Sequence, residues 1–453
     1  CPYAAGYYDK LPAAMDAALA RPALTRQDVE ELAREHGVCP YELAGDLVPW
    51  MDTVIADQHY LYSLTAGLGT LLADDTRRWT VLLDEAHNLP DRARSMYRAE
   101  LRKSDLMAAR RAVPPPLRRD LDKVNRALLD LQGEEWDEPG FSSAGAVPAG
   151  LAGALQQFSA RIGERLSDQP LLLQRHPALR EFYFAVLQFL RVAEHWGEEF
   201  CFEMRRDDGR QSLLLALNCL DPGRLLAERQ RNAHAVIAFS ATLSPPQWCR
   251  DALGLEESAA CFRQASPFAA SQLQVSLATD IDTRYRQRAA SLEALAARVR
   301  RWLAQEPGNC LVYFPSYRYL EDVHAALARD GLPADRRYWV QSPGADRAAL
   351  LALLEEHRDV AAFCILGGVF GEAVDLPGKQ LSSVVIVGVG LPQFNRDNER
   401  LRAWYQRRHG DGFAYAYLYP GMQKVDQALG RVVRRQDDAG SALLIDARYG
   451  DAR

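Results

Sequence analysis

The sequence predicts an α/β protein with two open parallel β-sheets. The first indication is an apolar, partly β-branched run at 79–83 that ends directly in two acidic residues, as a buried parallel strand does. The second is an alternation of helical and strand-like segments after about residue 268, which is typical of βα units. Long helical periodicity covers 91–200 between them, and a chain of 453 residues suggests roughly three domains.

The amino-terminal half begins with helical stretches, and two copies of Cys-Pro-Tyr start at Cys1 and Cys39. Short strands are predicted at 53–57 and 81–83. Gly, Ala, Ser and Pro crowd together at 139–153, which indicates a loop inside the helical region. Strand character then returns in two segments, at 212–217 and 235–239.

The carboxyl-terminal half predicts a regular series of helices and strands. Helices at 290–305, 319–329 and 346–356 each precede a strand, and the strands are predicted at 310–314, 337–340, 361–366 and 384–387. Because parallel strands need a crossover connection, this alternation predicts the second parallel sheet.

Composition excludes some classes of protein. The net charge of −6 gives no overall signal for nucleic-acid binding, so any binding track must be local. No apolar run reaches the ~18 residues of a membrane helix. Eight scattered cysteines in 453 residues do not form a disulfide framework, so we expect a reducing, cytoplasmic compartment and no membrane partner.

The acidic motif is Asp84-Glu85-Ala86-His87, placed at the carboxyl end of the predicted strand. Nucleotide hydrolases use an acidic pair at such a strand end to hold Mg²⁺ and to aim a water at the γ-phosphate. Asp84, Glu85 and His87 are therefore candidate catalytic residues, with Asp84 as the magnesium ligand. The alternative without a catalytic role is that the acidic pair caps a helix. A zinc protease is disfavoured because no second His follows His87 at i+4.

A second motif, at 427–434, suits the same chemistry. Its residues Gln427, Arg431 and Arg434 are spaced i, i+4 and i+7, which predicts one helical face, and Gly430 allows close approach. Arginines suit a phosphate whose negative charge spreads during transfer. Together the two motifs predict ATP hydrolysis between two lobes, one supplying the metal site and the other the arginines.

A phosphate-binding loop is not found in this sequence. The chain has five lysines, and the one Gly-Lys pair, Gly378-Lys379, lacks the required glycine spacing and the following Ser or Thr. The chain opens on Cys1-Pro2 rather than Met. We therefore expect the carboxyl-terminal portion of a longer protein, with its phosphate-binding loop upstream.

Two polar loops are candidates for coupling nucleotide chemistry to movement. Ser240 and Thr242 follow a predicted strand, where hydroxyls can relay between an ATP site and a lobe interface, although a simple turn is the alternative. Glu372 and Asp375 lie on a glycine-bordered loop after another strand. Its alternative is a surface loop whose glycines need positive φ.

The segment 91–126 is locally basic, with eleven Lys and Arg against five Asp and Glu, and it includes Arg110 and Arg111. A solvated helical face and a nucleic-acid track both remain open as interpretations. Aromatic residues between Trp404 and Tyr419 lie near further arginines, and packed core is the favoured interpretation for most of them.

In this order the motifs resemble the XPD/DinG-type iron–sulfur helicases of superfamily 2, in particular their bacterial branch. The resemblance runs through nearly the whole chain and rests on Cys-Pro-Tyr at Cys1 and Cys39, Asp84 to Asn88, Ser240 to Pro245, Phe314 to Tyr317, Phe370 to Asp375, Gln427 to Arg434 and Asp446 to Arg448. Ala373 departs from the family, which usually has Gly after the glutamate, and Gln58 stands where Asn is more usual.

The resemblance implies two RecA-like lobes, the first with an iron–sulfur insertion and a helical arch insertion. The implied divisions are 1–50 (part of the cluster domain), 51–92 (part of lobe 1), 93–205 (arch), 206–267 (return of lobe 1) and 268–453 (lobe 2). Cys1 and Cys39 would be the third and fourth ligands of a 4Fe–4S cluster whose other two ligands lie upstream.

The family implies an ATP- and Mg²⁺-dependent DNA helicase that moves 5′→3′ on single-stranded DNA, acts on forked or flapped duplexes, and works in DNA repair or replication near the nucleoid. Ser316 and Tyr317 would contact DNA. An ATPase-inactive module that binds single-stranded nucleic acid is the alternative, and a nuclease appended upstream stays open.

Overall fold

The computed structural model describes residues 2–65, 67–74, 77–133, 136–207, 212–368, 376 and 380–450. Contacts divide the chain into two compact units. The first unit contains Cys1–Phe239 and Ala252–Leu255, and the second contains Ser240–Asp251 and Glu256–Arg453. The segment Ser240–Asp251 thus groups with the second unit, whereas we had expected 206–267 to form one piece with the first lobe. The finer domain division stays a prediction.

The first unit begins with three packed helices, α1 (Tyr7–Leu19), α2 (Arg26–His36) and α3 (Pro40–Leu47). Thr25 caps α2 because its hydroxyl accepts from the backbone N–H of Asp28, whose carboxylate accepts from the N–H of Thr25 in return. The helices bury a shared apolar cluster of Tyr7, Ala14, Ala18, Leu32, Ala33, Val38, Leu43 and Leu47. Two further helices follow, α4 (His59–Tyr62) and α5 (Gly67–Asp74).

A parallel two-stranded sheet follows, formed by β1 (Thr80–Leu83) and the later β6 (Ala235–Ala238). The sequence predicted both strands, and the structure confirms them. The predicted strand at 53–57 is wrong: these residues form no strand, and Ile55 is 98% exposed. A strand needs a neighbour for its hydrogen bonds, and within the described residues β1 pairs only with β6.

Residues 89–219 contain six helices and four strands within the described part of the chain. The helices are α6 (Leu89–Met96), α7 (Lys103–Ala112), α8 (Pro115–Gly133), α9 (Ala149–Asp168), α10 (Leu172–Arg175) and α11 (Pro177–Glu194). The strands β2 (Ala99–Arg102), β3 (Phe141–Ala144), β4 (Phe200–Asp207) and β5 (Ser212–Cys219) form an antiparallel sheet in the order β2-β5-β4-β3.

The helical periodicity predicted for 91–200 is therefore present but incomplete, because β2 and β3 interrupt it. Each of these strands has four residues, too few to reveal a period of two in the sequence. They become strands through long-range pairing, β2 with β5 and β3 with β4. Helix α12 (Gly223–Gln230) then leads to β6, and α13 (Pro246–Ala252) follows it.

The second unit is a six-stranded parallel sheet in the order β7-β12-β11-β8-β10-β9. Its strands are β7 (Leu273–Ala278), β8 (Cys310–Phe314), β9 (Arg337–Val340), β10 (Val360–Ile365), β11 (Ser383–Val387) and β12 (Gly440–Ile445). The sequence predicted β8 to β11 and missed β7 and β12. Its helices are α14 (Arg288–Gln305), α15 (Tyr317–Asp330), α16 (Arg347–Glu356), α17 (Arg396–His409) and α18 (Tyr419–Leu429).

Both faces of the centre of this sheet are covered, which explains the nearly continuous apolar runs of the buried strands β8, β10 and β11. Alternate residues of β8 point to opposite faces: Val312 packs in the cluster that contains α14 and α15, and Leu311 packs in the cluster that contains α16 and α18. The fold is thus α/β with parallel sheets, as the sequence predicted.

Candidate functional site

The acidic loop lies at the carboxyl end of β1, in the first unit. Asp84 and Glu85 are both exposed, and the backbone N–H of Glu85 donates to Asp84 Oδ1 at 2.8 Å. Glu85 has φ 48° and ψ 42°, a left-handed conformation that non-glycine residues rarely adopt. Such strain persists only where the surroundings hold it, and it concentrates at functional sites.

Two hydrogen bonds to backbone groups of this loop hold it in place. Gln58 Nε2 donates to the carbonyl oxygen of Asp84 at 3.2 Å, and the N–H of Ala86 donates to the carbonyl oxygen of Phe239 at 3.2 Å. Gln58 is the residue that departs from the family pattern, and the sequence alone gave it no role. Both bonds act on the peptide groups that flank Glu85, so they fix its conformation.

The side chain of His87 is buried, at 7% exposure. Its Nδ1 lies 3.3 Å from Glu85 Oε2. Burial lowers the pKa of the imidazole, and the nearby Glu85 carboxylate opposes that shift only in part. His87 is therefore neutral at pH 7, so it can donate a hydrogen bond to Glu85 from Nδ1 without carrying a charge.

The hydroxyl residues Ser240 and Thr242 follow β6 and belong to the second unit. The N–H of Thr242 donates to Ser240 Oγ at 3.3 Å, and the two hydroxyls are 3.5 Å apart. The carbonyl oxygen of Thr242 accepts a buried hydrogen bond of 3.0 Å from Gln423 Nε2 of α18. This loop is thus anchored to the helix that leads to the arginine motif.

The predicted single helical face for Gln427, Arg431 and Arg434 is wrong, because α18 ends at Leu429. After Gly430 the chain makes a tight turn, in which the N–H of Val432 donates to the carbonyl of Leu429 at 3.1 Å. Val432 and Val433 are drawn into the core beside the sheet, which ends the helix. Arg431 is 5% exposed, whereas Arg434 is exposed.

The loop that carries Arg434 is organised by two residues that the sequence did not single out. The buried Asp438 accepts at Oδ2 from the N–H groups of Arg434 and Arg435, each at 2.8 Å. Gln272 Nε2 donates to the carbonyl oxygens of Asp438 and Gln436, at 2.7 and 3.1 Å. These bonds fix the backbone conformation around Arg434, whose side chain is exposed.

Ser316 and Tyr317 lie where β8 meets α15. Ser316 caps the helix, since its Oγ accepts from the N–H of Tyr319 at 3.4 Å. The Tyr317 hydroxyl accepts from Nε2 of the buried Gln341 at 3.0 Å, and Gln341 Oε1 accepts from the N–H of Ile365 at 2.8 Å. One glutamine thus joins the carboxyl ends of β8, β9 and β10.

The candidate residues Glu372 and Asp375 lie outside the described residues, as does Cys1. Gly367, which precedes the first two and lies in the described part of the chain, has φ 73°. This left-handed conformation favours a glycine at this position, and a Cβ there would also require the flexible Lys424 side chain to shift.

The basic segment at 91–126 is partly neutralised by its own neighbours. Arg110 pairs with Asp122, and Arg98 and Arg102 both pair with Glu100. Arg111 is exposed at the end of α7. Exposed ion pairs are typical of a solvated face, and the role of Arg110 and Arg111 in nucleic-acid binding stays a prediction. Trp404, Tyr405 and Tyr417 are buried, as we expected for core aromatics.

Cys39 occupies the N-cap position of α3 and is partly buried against the first helical cluster. In the described part of the chain, no group of three or more His, Cys, Asp or Glu is arranged to hold a metal ion. A 4Fe–4S cluster needs four ligands, so the described residues do not complete one. Among the described residues no helix is long and apolar enough to span a membrane.

Each unit contains a parallel sheet; the acidic loop at 84–87 follows a strand of the first unit, and the loop with Arg431 and Arg434 follows α18 of the second. A family model described as DEAD_2 matches residues 1–106, and one described as helicase C-terminal domain matches 299–453. The two matched segments lie in the first and second halves of the chain, and the chain is thus similar to proteins that carry both domains.

Individual relatives are similar along most of this chain. The chain is 20% identical to the ATP-dependent DNA helicase CHL1 of Candida glabrata, over 94% of this chain and 57% of that protein. It is 21% identical to a regulator of telomere elongation helicase 1 homolog of Anopheles gambiae, over 95% of this chain and 53% of that protein. The chain thus spans little more than half the length of these relatives.

Solved structures share the fold. A structure described as XPD helicase matches with a TM-score of 0.62 at 18% identity, over 94% of this chain and 74% of that one. The Xpd4 structure from S. tokodaii matches with a TM-score of 0.57 at 16% identity, over 86% of this chain and 77% of that one.

Proposed function

We propose that this chain is the motor portion of an ATP-dependent DNA helicase of the bacterial XPD/DinG-type branch, moving 5′→3′ on single-stranded DNA. The observation that carries the proposal is the acidic loop, where two exposed carboxylates follow a parallel strand and Glu85 is held in a strained conformation. Loops at the carboxyl ends of parallel strands are where open α/β sheets bind ligands.

In this proposal Asp84 would hold Mg²⁺, and the bound ion would supply positive charge against the nucleotide phosphates. Glu85 orients the attacking water and takes its proton, and the neutral His87 holds the Glu85 carboxylate at the distance observed. Arg431 and Arg434 stabilise the negative charge that develops on the γ-phosphate, with Gln427 as a further polar contact. Ser240, Thr242, Glu372 and Asp375 couple this step to movement.

The phosphate-binding loop is proposed to come from polypeptide outside these 453 residues. In support, Leu82 and Ile237 are paired across β1 and β6 and are 64% and 51% exposed, although parallel sheets are normally covered on both faces. The 453-residue chain alone should therefore bind ATP weakly and hydrolyse none, because it lacks a phosphate-binding lysine and its backbone amides. Isothermal titration with ATP and a phosphate-release assay check this expectation.

The remaining parts of the proposal concern cofactor and substrate. Cys1 and Cys39 would be two ligands of a 4Fe–4S cluster, with two more outside this chain, and no step of hydrolysis is assigned to the cluster. Ser316, Tyr317, Arg110 and Arg111 would contact single-stranded DNA at forked or flapped duplexes, in DNA repair or replication. We propose a cytoplasmic, nucleoid-associated location.

The test uses the full-length protein that contains this chain, purified without oxygen. We expect DNA-stimulated ATP hydrolysis, and separation of a duplex that carries a 5′ single-stranded tail but not of one that carries a 3′ tail. An Asp84→Ala variant should lose both activities and keep its affinity for single-stranded DNA. DNA binding without ATP hydrolysis in the wild type would favour the alternative, an inactive single-strand-binding module.

A further inference from the structure

The segment Ser240–Asp251 continues strand β6 of the first unit but groups with the second unit. Three contacts explain this. The carbonyl of Thr242 accepts from Gln423 Nε2 at 3.0 Å, the ring of Trp248 packs on Tyr419 with centroids 5.5 Å apart, and Asp251 Oδ2 lies 3.8 Å from His409 Nδ1. All three partners belong to α17 or α18. The segment is therefore docked on these two helices.

Of the three contacts, the hydrogen bond from Gln423 is the one that can transmit a movement of α18 to the docked segment. Its side chain is 8% exposed, so the hydrogen bond to Thr242 is protected from water and from competing partners. Gln423 lies on α18 one helical turn before Gln427, and the helix ends two residues before Arg431. A movement of α18 therefore shifts Gln423, Gln427 and the start of the arginine loop together.

At its amino-terminal end the docked segment is continuous with Phe239, which is hydrogen-bonded to the acidic loop. Ser240 follows Phe239, whose carbonyl accepts from the N–H of Ala86 at 3.2 Å and whose N–H donates to the carbonyl of Leu83 at 3.0 Å. Phe239 is thus bonded to the residues on both sides of Asp84 and Glu85. One short stretch of chain connects the backbone of the acidic loop to α18.

We propose that Gln423 is a positioning residue that couples helix α18, which leads into the loop of Arg431 and Arg434, to the acidic loop through the docked Ser240–Asp251 segment. This inference rests on the proposed helicase function and adds a residue outside the acidic and arginine motifs. Gln423 touches neither nucleotide nor DNA in this role. It determines how strongly a change of conformation at the acidic loop is coupled to one at the loop of Arg431 and Arg434.

The test replaces Gln423 in two ways. Gln423→Met keeps the length of the side chain and removes its donor, and Gln423→Glu places a carboxylate against the Thr242 carbonyl. Gln230→Met is the matched control, because Gln230 is also buried, at 7% exposure, and donates to a main-chain carbonyl, that of Leu253, at 3.2 Å. Gln230 and Leu253 both belong to the first unit, so this bond is not one of the three contacts that dock Ser240–Asp251.

The first readout is hydrogen exchange of the 453-residue chain, which needs no activity. Losing one buried hydrogen bond shifts the docked population by about 3- to 10-fold, so the amides of 240–251 should exchange faster by about that factor in both Gln423 variants. The Gln230→Met variant should keep the wild-type exchange rates in this segment. Unchanged exchange in both Gln423 variants would overturn the docking role.

The second readout is coupling in the full-length protein. ATP consumed per base pair separated should rise at least about threefold in the Gln423 variants, more for Glu than for Met, while KM for ATP and single-strand affinity stay at wild-type values. A purely structural role would lower kcat and affinity together and leave that ratio unchanged, which refutes the proposal. If the wild type itself hydrolyses no ATP, the proposed function fails and the coupling role falls with it, whereas the exchange result stands.

Discussion

Glu85 combines the chemistry of the acidic loop with its backbone strain, so substitutions at this one position separate activity from stability. Within the described residues it is the one non-glycine residue with positive φ, at 48°. The left-handed conformation costs an L-residue about 1–2 kcal/mol. Glycine avoids this cost but adds about 0.5–1 kcal/mol of unfolded-state entropy. Glu85→Gly should therefore raise the free energy of unfolding by up to about 1 kcal/mol.

Differential scanning calorimetry of the 453-residue chain measures this change. For a unit of this size a gain of about 1 kcal/mol raises Tm by ~2–4 °C. Glu85→Gln keeps the strain and keeps an oxygen that can accept from His87 Nδ1, so its Tm should stay close to that of the wild type. The matched control is Glu164→Gly, an exposed position inside α9, where glycine should instead lower stability by about 1 kcal/mol through lost helix propensity.

ATP hydrolysis should fall in both Glu85 variants, although neither variant should lose stability. In the full-length protein both Glu85→Gly and Glu85→Gln should lower DNA-stimulated ATP hydrolysis by about 10²–10⁴-fold, because a general base contributes that factor. Binding of ATP and DNA should change little. Wild-type turnover in Glu85→Gln would refute the assigned role, and a fall in Tm for Glu85→Gly as large as that for Glu164→Gly would refute the strain argument.

Three further predictions concern other residues. Alanine at Arg431 or Arg434 should lower kcat by about 10³-fold while single-strand affinity, measured by fluorescence anisotropy, changes little; only the buried Arg431 should also cost stability, and equal losses of rate and affinity would indicate a DNA contact. Cys39→Ser should remove the brown colour and iron of the full-length protein, whereas Cys364→Ser, in the sheet core, should not; full iron content in Cys39→Ser would contradict the ligand role. Burial lowers the pKa of His87, so stability should fall as pH drops below the ordinary histidine value of about 6.5, and a His87→Gln variant should show a weaker fall in Tm between pH 7 and pH 5.

The sequence by itself determined most of the second sheet and the location of the acidic loop. Strands β8, β10 and β11 were predicted because strands buried on both faces must be apolar at nearly every position, and β9 because it falls in the alternation of helices and strands. Both are local properties that a sequence displays directly. The acidic pair was found because it follows the apolar run of β1, which is equally visible in the sequence.

The tertiary structure decided what depends on partners far away in the sequence. The segment at 53–57 has strand-like residues but no neighbour to pair with among the described residues, and β2 is a strand only because β5, more than 100 residues later, supplies its hydrogen bonds. Helix α18 ends at Leu429 because Val432 and Val433 are more stable inside the core than on a continued helix.

The same distinction applies to the candidate site. Its carboxylates and arginines were predicted as residue types, but Gln58, Gln272 and Gln423, whose amides hold the functional loops, were not. A glutamine has no distinctive spacing, and its role depends on which carbonyl oxygen the fold brings within about 3 Å of its amide. Only the folded chain fixes that distance.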